Sequence, residues 1–448
     1  KKTSNMSYLD NILFAILLVI GFGYFYMNIK KIIRNINLGT AVSRKDNAKV
    51  RWENMAMIAL GQSKMVKRPV AGVLHIIVYV GFIIINIELL EIIIDGLFGT
   101  HRVFAFLGTT YNVLIASFEI LAILVLVAVF TFLIRRNIIK LKRFSSSDLE
   151  GAPKKDANYI LYFEVVLMTL FLLMNASDLH LQNIPGGFSH FIKAGSFPVS
   201  QFISPLFNGM SNELVMLLTE IFWWLHITGI LIFMNYLYFS KHLHILLAFP
   251  NTYFANLNPQ GQFDNLESVT KEVKMMMDPN ADPFAATPVN DNELPTKFGA
   301  SDVQDLNWVQ LLNAYTCTEC GRCTSSCPAN ITGKKLSPRK IMMDTRDRLE
   351  EVGRNIDANN GIFVPDNKSL LNDYITPEEL WACTSCNACV EECPVSINPL
   401  SIIIDMRRYL VMEQSAAPMP INAMMTNIEN NGAPWQYNQQ DRLNWKNE

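Results

Sequence analysis

Five long apolar runs, separated by charged segments, dominate the first half of the chain. They cover residues 12–29, 70–94, 113–134, 159–175 and 214–239. Each run is near the roughly 20 residues that an α-helix needs to cross the hydrocarbon core of a bilayer. Buried helices of a soluble protein are the alternative, but five runs that are each flanked by charged residues favour a membrane. The pattern predicts a bundle of five transmembrane helices within residues 1–250.

Basic residues are distributed unevenly over the loops between these runs. Ten Lys and Arg residues lie between positions 30 and 68, and seven lie between positions 135 and 155. The opposite loops carry only Arg102 and Lys193. Because loops rich in Lys and Arg stay on the cytoplasmic side, we expect an inner-membrane protein with its N-terminus outside. Everything after Lys241 is then cytoplasmic.

The composition agrees with a membrane protein. Hydrophobic residues make up 50% of the 448 residues and charged residues 17%, against about 25% charged residues in an average soluble domain. The net charge of −2 gives no indication of nucleic-acid binding. The first apolar run is followed by basic residues and no small-residue cleavage site, which does not favour a signal peptide.

The rest of the chain divides into three parts. Residues 251–305 are rich in Pro, Asn and Asp and indicate an irregular connector with one short amphipathic segment at 266–277. Residues 306–415 hold all the cysteines, and Ser337-Pro338 and Thr376-Pro377 within them are typical of helix starts. Residues 416–448 form a polar tail. The predicted fold is therefore mostly α, with a transmembrane bundle followed by a helical cluster-binding domain.

All eight cysteines lie between Cys317 and Cys393, in two groups with the same spacing. Both groups match C-x2-C-x2-C-x3-C-P, the pattern of two-cluster 4Fe–4S ferredoxins, in which the fourth cysteine of each group binds the other cluster. The predicted ligands of the first cluster are Cys317, Cys320, Cys323 and Cys393. The predicted ligands of the second cluster are Cys383, Cys386, Cys389 and Cys327.

Zinc and disulfide bonds are the other uses of such cysteines. Two C-x2-C pairs would be enough for zinc, and zinc does not explain a third and a fourth cysteine, the last followed by Pro, in both groups. Disulfides belong to oxidising compartments, whereas the distribution of basic residues assigns this region to the cytoplasm. Two iron–sulfur clusters, each a one-electron carrier, are therefore predicted.

Three of the seven histidines, His75, His226 and His244, lie in or beside the apolar runs. His75 and His244 are near the cytoplasmic ends of the second and fifth runs, where two imidazoles can bind the iron of haem b. The fifth run and its end also hold two histidines, His226 and His244, that are 18 residues apart. On one continuous helix they would share a face and be about 27 Å apart, which suits two stacked haems. Hydrogen bonding or a proton path is the alternative role.

The other histidines are weaker candidates. His242 would lie on nearly the opposite face of the helix from the predicted ligand. No partner for His226 is evident, and His180 and His190, on an outer loop, are poorly placed for that role. His101 is expected to be an ordinary loop residue.

Several acidic residues lie in or near the apolar runs, and charged groups in a bilayer usually face a cavity or a partner. They are Glu88, Glu91, Glu119, Glu164 and Glu220. Glu88 and Glu91 share a helix face and are candidates for proton exchange at a quinone site. An interhelical polar pair is the alternative.

The membrane half resembles the haem b subunit of respiratory nitrate reductase and of membrane-bound heterodisulfide reductase. That family has five helices, two histidines on the second helix and two, 18 residues apart, on the fifth. His75, His226 and His244, each preceded by Leu, fit three of these positions, and the resemblance implies that His75 and His244 share one haem. The fourth position falls at Ile85, which cannot bind iron. His226 thus lacks its expected partner.

The cysteine region resembles the dicluster domain of heterodisulfide reductase-type iron–sulfur subunits. The two cysteine motifs carry the resemblance, and residues 332–339 add a softer match. In that family a further module with paired-cysteine CCG motifs often carries the substrate chemistry, and no cysteine follows Cys393 here. The resemblance implies an electron relay with a separate cytoplasmic partner: a CCG-type iron–sulfur protein, a flavoprotein or a dehydrogenase.

Together these features predict the membrane electron-transfer subunit of a respiratory complex. Electrons would pass between a cytoplasmic partner, the two 4Fe–4S clusters, haem b and a membrane quinone, with reduction of quinone as the preferred direction. Reduction of a disulfide by quinol is the reverse possibility. An accessory membrane polyferredoxin without haem, or a structural subunit that bridges partners, remains an alternative. No nucleophile, general base or nucleotide-binding loop indicates a substrate-converting site.

Overall fold

The structure, a computed structural model, describes residues 4–184, 191–279 and 297–447. These residues are mostly helical and contain two isolated β-bridges but no β-strand. The described α-helices are, in chain order, α1 (Ser4–Ile36), α2 (Ala48–Met55), α3 (Pro69–Phe98), α4 (Thr109–Leu133), α5 (Ala152–Gln182), α6 (Ser200–Ile203), α7 (Asn212–Tyr236), α8 (His244–Tyr253), α9 (Glu267–Met277), α10 (Trp308–Thr316), α11 (Arg322–Ser325), α12 (Pro328–Ile331), α13 (Pro338–Ala358), α14 (Leu370–Asp373), α15 (Pro377–Trp381), α16 (Ala388–Glu392), α17 (Pro399–Met412) and α18 (Met419–Asn431).

Five segments of the described chain are long and apolar enough to span a membrane, which confirms the five-helix prediction. They are Tyr8–Ile36, Pro69–Phe98, Thr109–Ile138, Ala152–Gln182 and Asn212–Phe239. Each is longer than the apolar run that predicted it, because polar turns at the ends continue the helices. Pro69 begins α3 without losing a hydrogen bond, and Gly99 ends it in a left-handed conformation (φ 68°).

The five helices pack side by side as a closed bundle. Helix α1 contacts α3 and α7, α3 contacts α4, α4 contacts α5, and α5 contacts α7. Phe14, Phe118 and Phe171 are buried between the helices. Large apolar side chains also point outward; Val19 is 73% exposed and Val127 is 58% exposed. Such an outer surface is unfavourable in water and suits hydrocarbon.

The fifth membrane helix differs from the prediction. Helix α7 ends at Tyr236, two 3₁₀ turns follow, and Ser240 between them is extended (φ −121°, ψ 147°) before α8 begins at His244. Asp156 on α5 accepts hydrogen bonds from the Tyr236 hydroxyl (2.6 Å) and the Lys241 backbone N–H (3.3 Å), which stabilises the break. The prediction that His226 and His244 share one face of one continuous helix is therefore wrong.

The cysteine-rich domain is built from short helices with well-formed ends, as predicted. Ser337 caps α13, which begins at Pro338, and Thr376 forms a capping box with Glu379 at the start of α15. Leu311, Ile341 and Ile402 are fully buried in a core that α10, α13 and α17 share. The cysteine loops lie between these helices.

The connector and the tail contain little core structure. The amphipathic segment predicted at 266–277 forms α9, and part of the connector lies outside the described residues. Helix α18, in the polar tail, has no buried residue. The tail helix therefore adds nothing to the core of the cysteine-rich domain.

The cysteine-rich domain packs directly against the loops of the bundle that carry the basic residues. Arg339 on α13 makes an ion pair with Asp148 (2.6 Å) and donates to the backbone carbonyl of Arg143 (2.8 Å). At the end of α1, Thr40 exchanges backbone hydrogen bonds with Leu306 (2.8 Å) and Trp308 (3.2 Å). These contacts fix the position of the cysteine loops relative to the membrane helices.

Candidate metal centres

The two cysteine loops have the same backbone conformation. Glu319 (φ 54°) and Gly321 (φ 70°) flank Cys320 in the first loop, and Ser385 (φ 56°) and Asn387 (φ 60°) flank Cys386 at the equivalent places in the second. Alternating left-handed residues curl the chain into a concave loop with its N–H groups inside, a shape that binds anionic groups. The repeated spacing in the sequence is thus a repeated structure.

The first set of cysteines converges on one cavity of the cysteine-rich domain. Its members are Cys317, Cys320, Cys323 and Cys393, and all of them line this cavity. Three come from the first motif, and Cys393, from the second motif, lies beside Cys320. The chain turns at Pro394, directly after Cys393. This grouping agrees with the predicted exchange of the fourth cysteine.

The second set is made in the same way from the other motif. Its members are Cys383, Cys386, Cys389 and Cys327. The thiol of Cys389 lies close enough to Cys383, Cys327 and Cys386 to interact with them electrostatically. Cys389 also lines the edge of the first cavity, so the two sets adjoin. Cys386 is exposed, so the second set reaches the protein surface.

The chemistry of these thiols fits an iron–sulfur cluster. None of the eight cysteines forms a disulfide, and no three His, Cys, Asp or Glu side chains of the described residues meet closely enough for a single metal ion. Burial raises the pKa of Cys317 and of Cys389 to about 12. Such thiols become thiolates when they bind a cationic group.

His75 and His244 face each other at one end of the bundle, as the sequence predicted. Their ring centroids are 6.4 Å apart, with an angle of 42° between the ring planes. Two imidazoles that bind one metal from opposite sides, with bonds of about 2 Å, have centroids roughly 6 Å apart. The Nδ1 atom of His75 is buried without a hydrogen-bond partner. The pair therefore fits a shared metal between the rings.

The surroundings of His244 hold its ring in the form that binds metals. Its Nδ1 lies 3.1 Å from the backbone carbonyl of Lys241, so Nδ1 carries the proton and Nε2 is available. Burial lowers the pKa of His244, which keeps the imidazole neutral. His242 is nearby as well, 5.5 Å from His244 between ring centroids. The helical periodicity had placed it on the opposite face, and the break at Ser240 brings it close.

Two cationic side chains join the histidine pair to the first cysteine loop. Lys241, three residues before His244, makes an ion pair with Glu319, which also binds Arg346 at 2.9 Å. Burial alone would raise the pKa of Glu319, but the two cations lower it below its ordinary value. Arg322 donates to the backbone carbonyls of Lys64 (3.0 Å) and Met65 (3.1 Å), just before α3.

His226 lies elsewhere in the bundle, in a separate cavity of about 90 Å³ among α3, α4, α5 and α7. The described residues that line this cavity include Ile85, Glu88, Glu164 and Phe233, and no second histidine. Ile85, where the related haem subunits have a histidine, thus lies in the same cavity as His226. Ligation of haem by His226 stays a prediction, and neither His180 nor His242 lines this cavity; His190 lies outside the described residues.

A network of buried polar groups occupies the end of the bundle away from the cysteines. Arg102 donates to Asp178 (2.6 Å) and to the hydroxyl of Tyr111 (3.1 Å), and Tyr111 donates to Glu91 (2.9 Å). Glu91 is therefore a satisfied interhelical partner, which was the alternative to proton exchange. His101 is not an ordinary loop residue, because its Nε2 lies 3.1 Å from Asp178. Sequence reasoning missed this network because its bonds join different structural elements, and Asp178 is 76 residues from Arg102.

The remaining intramembrane acids have different surroundings. Glu119 accepts backbone N–H groups from Val199 (2.8 Å) and Ser200 (3.1 Å), and Glu220 is exposed on the surface of the bundle. Neither lies in the cavity of His226.

Comparison with known protein families identifies the cysteine region. Residues 316–397 match the family model of the 4Fe-4S dicluster domain. This dicluster domain contains both cysteine loops, so binding of 4Fe–4S clusters is supported by the family as well as by the geometry.

Several known proteins are similar to the chain. A "Probable iron-sulfur-binding oxidoreductase FadF" of Bacillus subtilis is 29% identical, over 98% of this chain and 61% of the relative. An "EtfAB:quinone oxidoreductase" of Syntrophomonas wolfei is 25% identical, over 91% of this chain and 55% of the relative. One subunit of the ferredoxin/F(420)H(2)-dependent CoB-CoM heterodisulfide reductase of Methanosarcina acetivorans is 33% identical, over 24% of this chain and 52% of the relative.

These similarities support a coarse description. The chain spans about six tenths of the length of the first two relatives. No solved structure matches it. With five helices able to span a membrane and a dicluster domain, the chain is an iron–sulfur electron-transfer protein of the membrane-anchored, oxidoreductase-like kind. The heterodisulfide reductase relative is itself a subunit of a redox enzyme.

Proposed function

We propose that this chain passes electrons from a cytoplasmic redox protein, through two 4Fe–4S clusters and haem b, to a membrane quinone. The observation that carries the proposal is the histidine pair, His75 and His244, at the end of the bundle that contacts the first cysteine loop. A haem held by this pair would connect the clusters with the membrane, a connection that a dicluster domain used only to store electrons does not need.

The proposed order of the carriers follows from exposure. Cys383, Cys386, Cys389 and Cys327 hold the outer cluster, because Cys386 is exposed. Cys317, Cys320, Cys323 and Cys393 hold the inner cluster, whose loop carries Glu319 and Arg322 into contact with the bundle. A soluble partner docks at the outer cluster and electrons leave by the inner one.

His75 and His244 are the residues that would hold the haem. Bound there, haem b would supply a one-electron carrier at the end of the bundle nearest the cysteine-rich domain. The contribution of the chain is to orient the His244 ring, through the hydrogen bond of its Nδ1 to the Lys241 carbonyl at 3.1 Å. Lys241 also pairs with Glu319, so the same residue positions the haem ligand and the inner cysteine loop.

The proposed electron donor and electron acceptor are inferred from the similar proteins and from the sequence. The relative named EtfAB:quinone oxidoreductase is similar over 91% of this chain, which supports a flavoprotein as donor and quinone as acceptor. A CCG-type iron–sulfur protein or a dehydrogenase is the other class of donor. The basic loops support an inner-membrane orientation with the dicluster domain in the cytoplasm.

Metal analysis and a visible spectrum of the anaerobically purified chain test the proposal. We expect about eight non-haem iron atoms and eight sulfide ions per chain, with b-type haem bands in the reduced-minus-oxidised spectrum. His75→Ala and His244→Ala should remove the haem bands, and His180→Ala, at the far end of α5, should keep them. Zinc in place of iron would contradict the cluster assignment. Clusters without any haem would instead indicate the accessory polyferredoxin.

A further inference from the structure

Two buried polar atoms of the bundle have no hydrogen-bond partner and belong to the same cavity. They are Oε2 of Glu88 and Nδ1 of His226, on side chains that line the 90 Å³ cavity among α3, α4, α5 and α7. Glu88 is 4% exposed and His226 is 3% exposed. Buried polar groups nearly always have partners. Both side chains therefore carry unused hydrogen-bonding atoms beside this cavity.

The shape of the cavity limits what can occupy it. Its volume of about 90 Å³ is several times the space that one water needs and less than the roughly 150 Å³ that holds a whole benzene ring. Aliphatic side chains such as Val78, Leu167 and Ile230 form most of the wall. Phe82, at the rim, is 44% exposed on the lipid-facing surface. The cavity therefore fits the polar edge of a flat molecule that enters from the bilayer.

We propose that this cavity receives the carbonyl edge of a membrane quinone, with Glu88 and His226 hydrogen-bonded to it. This inference rests on the proposed function and gives the quinone a site. The site occupies the position at which related subunits have a second histidine pair, and Ile85 in place of a histidine leaves room for a ligand other than haem. The rest of the ring and its tail lie past Phe82 in the lipid.

Reduction of the quinone at this site takes two electrons and two protons. Two electrons arrive one at a time from the iron–sulfur and haem centres, and each carbonyl oxygen of the quinone gains one proton, which gives the quinol. Glu88, as a carboxylic acid, gives its proton to the carbonyl oxygen in the cavity and takes up another from water. The second carbonyl oxygen, on the far side of the ring and outside the cavity, takes its proton from water. Glu91, three residues further along α3, is hydrogen-bonded to Tyr111 at 2.9 Å and belongs to the polar network at the end of the bundle.

The test uses the full chain, loaded with clusters and haem, in lipid nanodiscs. The probe is 2-heptyl-4-hydroxyquinoline N-oxide, a fluorescent quinol analogue whose emission is quenched when it binds. We expect Glu88→Gln to weaken binding of the probe about tenfold, the loss of one good hydrogen bond to a charged or acidic group. Ile85→Phe, which fills the cavity without touching a polar group, should abolish binding. Haem and iron contents should stay unchanged in both variants.

Glu220→Gln is the matched control, because Glu220 is an intramembrane glutamate on α7 that lies outside the cavity. It should bind the probe as the unmodified chain does. Equal binding by the unmodified chain, Glu88→Gln and Ile85→Phe would overturn the proposed site and leave the proposed function standing. Loss of haem from His226→Gln would also overturn it, because His226 would then be a haem ligand. Failure of the proposed function itself shows differently, as an unmodified chain without haem.

Discussion

The two cysteine loops have the same backbone conformation but different surroundings. In the first loop Glu319 and Arg322 each directly precede a cysteine, and both side chains contact the membrane bundle. The equivalent residues of the second loop are Ser385 and Ala388, which are too small to reach another domain. Around Cys320 the loop therefore lies against the bundle, whereas around Cys386 the loop lies at the surface, where Cys386 is exposed. Further along the second motif, Glu391 and Glu392 form ion pairs with Lys67 and Arg68 of the bundle.

Removal of one cluster at a time should have the largest effect and should distinguish the two loops. Cys320→Ser and Cys386→Ser should each lose about half of the non-haem iron, because each removes one of four cluster ligands. In the Cys320 variant a soluble donor should still reduce the outer cluster but not the haem. In the Cys386 variant neither should be reduced by that donor. Rapid-mixing spectroscopy with electron paramagnetic resonance of the clusters measures this, and identical behaviour of the two variants would contradict the proposed order.

Removal of the cationic contact of the first loop should have the next largest effect. Arg322 is 3% exposed and donates to two backbone carbonyls of the bundle. Loss of such bonds leaves both acceptors unsatisfied, so Arg322→Ala should lower the melting temperature by about 5 °C. Haem reduction by the inner cluster should slow as well. Arg354→Ala, a 66%-exposed arginine of the same domain, should leave both quantities unchanged.

A double-mutant cycle on Lys241 and Glu319 should give a smaller effect, still well above error. Their side chains are 9% and 3% exposed, so water screens the ion pair little. Lys241→Met, Glu319→Gln and the double variant should yield a coupling free energy of about 1–2 kcal/mol in thermal unfolding. A value near zero would show that the pair does not hold the first loop to the bundle.

The same cycle on Lys67 and Glu391 should give the smallest effect. This ion pair also joins the bundle to the cysteine region, at Glu391 between Cys389 and Cys393 of the second motif, but the two side chains are 52% and 46% exposed. Exposed pairs are screened by solvent and typically contribute less than about 0.5 kcal/mol. A coupling equal to that of Lys241 and Glu319 would remove the proposed difference between the loops.

Much of the fold followed from patterns local in the sequence. The five apolar runs, the two cysteine motifs and the Pro-started helices each depend on residues within about 20 positions, and all formed as expected. The pairing of His75 with His244 was also expected, from a family resemblance. The continuous fifth helix was not confirmed, because the break at Ser240 depends on hydrogen bonds that Tyr236 and Lys241 donate to Asp156, 80 and 85 residues earlier in the chain.

The sequence by itself determined the chemistry that this protein has available: thiols in ferredoxin spacing, imidazoles at helix ends and apolar lengths that match a bilayer. These features are local, because ligand spacing and helix length are set by neighbours in the chain. Only the tertiary structure decided which groups meet. Beyond the exchange of Cys393 that the motif predicts, it brought His242 towards His244, and Glu88 and His226 to one cavity. Packing of distant helices, not periodicity along one of them, sets those distances.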